Sequence, residues 1–373
     1  MKKLYMLSLI LALFALAIFL KFKLETAPNN EIAHSRGMST MISPRSKPLW
    51  VITEKGEVFT RTSAWDLGTQ SETNVEISKI IDEGSDICAL SNPSNYSKLI
   101  FAIKTDGTVW QLIEIPDANQ YNLEKVSGIE NCIKISSGEK HVMALTSDGS
   151  VYTWGDNTYG QLGDGTNENQ DTPKKIQKLS NIVDISSGSH HCMALSKNGK
   201  VYTWGDNIEG QIGNGRYATS EEDRSHNSVY QVKALSDVIQ ISAGDSWCVA
   251  LKKDGTVFDW GTRLAVGYCL PDPTKVEDLA NIVEISANGS HALALSSSGE
   301  LWRWGSVVSV PGWGMDLPRK MADFPDAVEI VAGWRDIVIT EDSKIWQGVT
   351  AKLHETDIDP CYSGKFIFVL SKE

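Results

Sequence analysis

Apolar and polar positions alternate along most of this chain in short runs, and the runs come in pairs around a turn dipeptide. His141-Val-Met-Ala-Leu-Thr-Ser-Asp-Gly-Ser-Val-Tyr-Thr-Trp-Gly155 is followed by His191-Cys-Met-Ala-Leu-Ser-Lys-Asn-Gly-Lys-Val-Tyr-Thr-Trp-Gly205. Two further copies run from Trp247 to Gly261 and from His291 to Gly305, and weaker ones from Trp50 to Phe59, Ile100 to Trp110 and Asp336 to Trp346. Asp-Gly, Asn-Gly and Ser-Gly supply the positive φ of tight hairpins, so each copy predicts two antiparallel strands. The turn glycines are Gly56, Gly107, Gly149, Gly199, Gly255 and Gly299, with Ser343-Lys344 in the seventh place, and successive intervals are 42 to 56 residues.

Upstream of each hairpin lies another short strand that ends in glycine. Ile135-Ser-Ser-Gly138, Ile185-Ser-Ser-Gly188, Ile241-Ser-Ala-Gly244, Ile285 to Gly289 and Ile330-Val-Ala-Gly333 are the examples. Three or four strands per repeat, with no helical period, predict an all-β seven-bladed propeller, because an isolated blade exposes faces that only neighbouring blades cover. The chain ends in Phe366-Ile-Phe-Val-Leu-Ser-Lys372, which resembles a first strand. The copy at Trp50 lacks one, so both termini are expected to share a closing blade, and the extra half-copy leaves eight blades as the alternative count. The hairpin tryptophans Trp110, Trp154, Trp204, Trp260, Trp304 and Trp346 recur with the repeat and are read as core.

The amino terminus has a different pattern. Lys2 and Lys3 precede an uncharged run from Leu4 to Leu20, and Lys21 and Lys23 follow it. A basic start and an apolar run mark an export signal or a signal anchor. As a helix the run spans ~26 Å, close to a bilayer core. Ala15-Leu16-Ala17 has the form of a cleavage site, but Ile18-Phe19-Leu20 continues the apolar run. The favoured reading is an uncleaved, single-pass anchor at 1–23, a linker at 24–47 and a propeller at 48–373 outside the cytoplasm. Secretion after cleavage is the alternative.

Charge excludes one class of partner. Residues 24–373 carry 31 basic and 47 acidic side chains, a balance of −16. Nucleic-acid binding needs a basic footprint, and the longest basic cluster, Lys174-Lys175 with Lys178, is short.

Tyr152-Thr-Trp-Gly-Asp-Asn-Thr-Tyr-Gly-Gln-Leu-Gly-Asp-Gly165 and the copy from Tyr202 to Gly215 resemble the regulator-of-chromosome-condensation repeat family. The signature is His-x-x-Ala-Leu, then Asp-Gly-x-Val-Tyr-x-Trp-Gly, then Asn-x-x-Gly-Gln-Leu-Gly-x-Gly. It places Gly155, Gly160, Gly205 and Gly210, with the turn glycines and tryptophans above, as structural signature positions. The resemblance covers about residues 48–373 and implies a seven-bladed propeller. It also implies one of three roles: nucleotide exchange on a small GTPase, chromatin binding, or an interaction scaffold. The anchor suits a bacterial-type, membrane-anchored scaffold. Blades five and six depart from the signature at Thr262 to Pro273 and Ser306 to Pro318.

Candidate chemistry is sparse. His141, His191 and His291 share one repeat position, and are read as structural groups bonded to neighbouring turns rather than as a metal ring. Gly160 to Gly165 lacks the lysine and following helix of a phosphate loop. Asp164, Asn167, Glu168, Asn169 and Asp171 lack the spacing of a calcium loop. Cys88, Cys192 and Cys248 are read at or next to one strand position, and Cys132 as core; Cys269 and Cys361 lie in loops and form a candidate disulfide if the domain is exported. No nucleophile constellation and no cofactor motif occur. The aromatics that break the repeat phase are Trp313, Tyr268 and Tyr217, the last within a polar insertion from Arg216 to Tyr230. Together with Trp334 they are the candidate contact residues for an unidentified protein partner. The expected function is a non-enzymatic, membrane-tethered binding scaffold. Regulation of a GTPase is the alternative, implied by the resemblance alone.

Overall fold

The computed structural model describes residues 49–52, 58–66, 71–81, 86–93, 99–115, 120–221, 223–262, 269–289, 291–305, 317–333, 336–341 and 345–347. The N-terminal apolar segment, the linker, the expected closing strand at Phe366–Lys372, and Tyr268, Trp313, Trp334 and Cys361 lie outside the described residues. Among the described residues all regular structure is β, arranged in seven sheets, and the protein is a β-propeller.

Sheet three shows the meander: Cys132–Ser137, His141–Thr146, Val151–Gly155 and Gln170–Lys175, in that order from the inside outwards, with the short strand Asn92–Pro93 added parallel to Cys132–Ser137. Sheets two, four, five and six repeat this four-strand meander, starting at Ile87, Ile182, Val238 and Ile282. Sheet one (Leu49–Ile52, Val58–Asp66, Ser71–Ile81) and sheet seven (Ala327–Val331, Ile337–Thr340, Ile345–Gln347) have three described strands each. The strand at Leu49 pairs with the one at Val58 as a second strand does in other sheets, so sheet one lacks a first strand of its own among the described residues.

The turn chemistry explains each hairpin. In sheet three, Gly149 takes φ 78°, a left-handed value that costs a side chain energy but not glycine. The Asp148 carboxylate accepts Thr146 Oγ1 at 2.6 Å and Ser150 N at 3.0 Å. Those donors hold its pKa below the ordinary carboxylate value.

The second strands depart from simple alternation. His141–Thr146, His191–Ser196 and His291–Ser296 are buried at all six positions. Each is covered on both faces, because every apolar cluster straddles two sheets. Met143, Leu145 and Val151 of sheet three pack with Ile182, Ile185, Ala194 and Trp204 of sheet four. No sheet buries its own apolar residues alone, which is why the repeat has to pack side by side.

Serines at one position stitch the inner strands together. Ser136, Ser186, Ser242 and Ser286 accept, through Oγ, the backbone N–H of Ser187, Ala243, Ala287 and Ala332 of the next sheet, at 2.9–3.0 Å. This accounts for the recurring Ile-Ser before each strand-end glycine. The inner strands of sheets three to six line a narrow cavity of about 30 Å³ through Ser136, Ser186, Ser242, Gly244 and Ala287.

Three expectations need correction. Trp110 and Trp346 stand opposite Ala102 and Val338, the place held by Tyr152 in sheet three, and not that of Trp154. Leu112 fills the core place in sheet two, while Trp110 is half-buried and donates Nε1 to Thr108 Oγ1 at 2.8 Å. Cys88 lies on the first strand of sheet two, not on a second strand with Cys192 and Cys248. The insertion after Arg216 ends at Arg224, since Ser225–Gln231 is the outer strand of sheet four.

Candidate protein-binding surface

The repeat histidines sit at blade interfaces and bond the next blade. His141 Nε2 lies 3.1 Å from Cys192 Sγ, His191 Nε2 3.2 Å from Cys248 Sγ, and His291 Nε2 2.7 Å from Asp336 Oδ1. Their contacts reach side chains on the adjacent second strand, not turns. Where the next blade offers only Ala292, the position carries Trp247, whose Nε1 donates to Gly289 O at 2.8 Å. Asp336 thus occupies the place that Cys192 and Cys248 hold in their sheets.

These pairs are not reactive dyads. Burial lowers the pKa of His141 to about 3 and of His191 to about 4, so both imidazoles are neutral at pH 7. Burial also raises the thiols of Cys192 and Cys248 well above their ordinary value, the opposite of a nucleophile. Cys132 is pushed up to about 12 for the same reason. Burial opposes ionisation of Asp336, but His291 and Arg303, whose Nη1 is 3.3 Å from Oδ2, outweigh it and keep the carboxyl below its usual range.

The Gly-Gln-Leu-Gly loops are part of the same interfaces. Gln161 O accepts Trp204 Nε1 of the next blade at 2.9 Å, and Gln211 O accepts Trp260 Nε1 at 2.8 Å. Asp164 is committed to Thr166 and to Lys174, 3.0 Å from Oδ2, which disposes it to a closed turn rather than to calcium. Among the described residues no group of three or more His, Cys, Asp or Glu is placed to hold a metal ion. Cys269 is a free thiol that accepts Thr262 Oγ1 and donates to Glu209 Oε2, both at 3.1 Å.

One loop cluster differs from these closed turns. Between the third and outer strands of sheet four, the 214–224 segment is pinned on both sides of Tyr217. Ala218 is buried and donates its N–H to Asn207 O at 2.8 Å. Arg224 forms a fork on Asp206, with Nε to Oδ1 at 2.8 Å and Nη2 to Oδ2 at 2.7 Å, and Asp206 holds its guanidinium protonated far above the usual range. The guanidinium lies 4.0 Å from the centre of the Tyr159 ring. Tyr159 meets His190 edge-on at 5.2 Å, and His190 pairs with Glu139 at 3.2 Å. Tyr217 projects from this braced segment with 53% of its surface exposed. Exposed Glu221 and Asp223 lie on the same loop, Glu168 on the adjacent loop and Asp171 at the start of the outer strand of sheet three, and Asn167 of the adjacent loop donates to Ser225 Oγ at 2.6 Å.

The structure therefore places one of the candidate contact aromatics, Tyr217, on a rigid exposed mount. Sequence reasoning missed Arg224 and Asp206, which build the mount. The signal was present: Asp206 departs from the Gly-Asp-Asn consensus in nothing, but Arg224 is a lone base among Glu221, Glu222 and Asp223.

Comparison with known proteins agrees with the geometry. The regulator of chromosome condensation (RCC1) repeat profile matches residues 148–195 and 198–251, and a second profile of the same repeat matches 132–161 and 182–211. A stretch of 43 residues is 51% identical to the human E3 ubiquitin-protein ligase HERC2, spanning 11% of this chain and 1% of that protein. The fold is similar to that of Prp20p from Saccharomyces cerevisiae, with TM-score 0.62 and 17% identity over 86% of this chain and 84% of that one. Human WBSCR16 gives TM-score 0.59 and 17% identity over 74% and 80%.

Proposed function

From a chain that belongs to the RCC1 repeat family, we propose a protein-binding propeller without catalytic activity, tethered to a membrane by residues 4–20 and lying outside the cytoplasm. The observation that carries the binding role is Tyr217 on its braced segment. An aromatic whose backbone is already held by its neighbours loses less freedom when a partner covers it. The acidic side chains around it favour a partner that presents basic residues. Prp20p has binding properties towards Gsp1p and histones, a precedent for protein partners on this fold.

Pull-down with the full chain tests the surface. Tyr217→Ala is expected to lose most of the partner captured by the wild type, and Arg224→Ala to weaken capture by releasing the mount. Unchanged capture by both variants would remove this surface from consideration. Compartment is tested separately by a topology reporter at the C-terminus, where activity inside the cytoplasm would overturn the extracytoplasmic placement. Regulation of a GTPase is the rival, supported by the shared fold alone; accelerated nucleotide release from a GTPase on adding this protein would establish it.

A further inference from the structure

The opposite end of the propeller, where the Asp-Gly hairpins lie, carries a feature that the binding surface does not use. In sheets three to seven the first strand pairs with the second through a β-bulge that skips its second residue. The skipped residues are Ile133, Val183, Ile239, Val283 and Val328, and each is 45–52% exposed. Strand propensity accepts Thr as readily as Val or Ile at such a place, yet all five are hydrocarbon. Each is the second residue of an inner strand, so at the hairpin end of five successive sheets these side chains form an apolar arc. Isolated exposed apolar residues need no explanation, but a contiguous set at one structural position marks a contact.

The charges around the arc say what covers it. Proceeding around the arc, the loop between sheets three and four carries Lys178, that between four and five Lys233, that between five and six Asp278, and that between six and seven Asp326. All four are exposed. Consider a second copy laid face to face, related by a two-fold axis along the radius of sheet five. That operation exchanges sheets four and six, and sheets three and seven. It sets Lys233 against Asp278 and Lys178 against Asp326. Lys200 in the hairpin of sheet four meets Glu300 in that of sheet six. The same operation sets Ile133 against Val328, Val183 against Val283, and Ile239 against its own copy. Two matches are like-charged: Asp148 with Glu341, at the edge farthest from the axis, and Asp184, which is already paired with Lys134, with Glu284.

We infer that this end of the propeller is a homodimer interface, with the bulge residues as its apolar centre and the loop charges as its complementary rim. An isologous contact requires a self-complementary surface, and an arc of apolar residues flanked by opposite charges satisfies that requirement. The inference is independent of the Tyr217 surface, which lies at the other end and stays exposed in the dimer.

The test is the protein mass of the purified full chain, measured by sedimentation in detergent over a range of concentrations. The wild type is expected to dimerise. Val183→Thr, Ile239→Thr and Val283→Thr together keep β-branching and so the strands, and are expected to give monomer. Lys178→Glu with Lys233→Glu is expected to weaken dimerisation by about tenfold or more, and adding Asp278→Lys with Asp326→Lys to restore it. Ile239→Cys is expected to give a disulfide-linked dimer on mild oxidation that the wild type does not. A wild type that is monomeric at every concentration overturns the inference. So does a dimer whose dissociation constant the threonine variant leaves unchanged, since its contact then lies elsewhere in the chain.

Discussion

Sheets three and four close against their neighbours through loops, whereas sheets five and six do so through side chains. In sheet three, Thr153 Oγ1 donates to Leu162 O at 2.8 Å and so holds the Gly-Gln-Leu-Gly loop down; in sheet four Thr203 does the same with Ile212 O at 2.7 Å. The loop carbonyls of Gln161 and Gln211 then receive the indole N–H of the next blade. In sheet five the threonine position holds Asp259, whose Oδ2 accepts Trp304 Nε1 directly at 2.9 Å. In sheet six it holds Arg303, which pairs with Asp336 of sheet seven at 3.3 Å. A buried indole must find an acceptor. One carboxylate meets the demand that elsewhere takes a whole loop, and this frees the sequence after Thr262 from the signature.

The two kinds of interface should separate on acidification. Because the folded pKa values of His141 and His191 lie at about 3 and about 4, below the unfolded value of 6.5, their contribution is fully present above pH 6.5 and is lost as pH falls towards those values. With a slope that approaches about 1.4 kcal/mol per pH unit for each histidine below the unfolded value, the pair costs about 4 kcal/mol between pH 7 and 5. Asp336 acts in the same direction but only below its unfolded value of 3.8. Urea unfolding at pH 7 and pH 5 is expected to show the loss, and His141→Gln with His191→Gln to flatten it. An equal slope in that double variant would show that other groups carry the pH dependence.

Substitutions at matched positions sharpen the contrast. Gly163 has φ 67°, and a Cβ there would lie 2.7 Å from the Trp204 indole nitrogen. Left-handed strain and overpacking together predict a loss of about 3 kcal/mol for Gly163→Ala, read from the urea midpoint. Asp259→Ala should cost about 2 kcal/mol, because Trp304, 1% exposed, would keep a buried donor without that acceptor. Asp259→Asn retains a side-chain oxygen and should cost less. If Asp259→Ala proved neutral, the carboxylate would not be what replaces the loop.

Most of this architecture was legible because it repeats. The hairpin dipeptides, strand-end glycines and Trp154, Trp204, Trp260 and Trp304 recur in register with the chain, and a repeat constrains each copy by its neighbours. What was not legible depends on which residue faces which across two blades. The match of His141 and His191 to cysteine, of His291 to Asp336, and of Trp247 to Ala292 is a relation between positions about fifty residues apart, invisible to a local pattern. Trp110 misled because spacing from the turn glycine differs by two residues between the Trp110 and Trp154 strands, and only the strand register distinguishes them. Tyr217 stood out as an aromatic out of phase, but nothing in its own neighbourhood of sequence announced that Asp206 would brace it through Arg224.

The smallest effect tests whether the loops are held or merely rest on the blade. Thr153→Val preserves shape and β-branching and removes one hydroxyl, leaving Leu162 O without its donor at a buried site. The expected cost is about 1 kcal/mol. If the loop is an integral part of the interface, the loss must reach the partner blade, so protection of the Trp204 indole N–H from hydrogen exchange should fall together with that of the Leu162 amide. Thr203→Val should behave alike at Ile212 and Trp260. A variant that loses protection in the loop while the indole of the next blade keeps all of its own would show that Gln161 O is held in place by Asn157 and the glycine turns rather than by the threonine, and the difference between loop-closed and side-chain-closed interfaces would then reside in the loop alone.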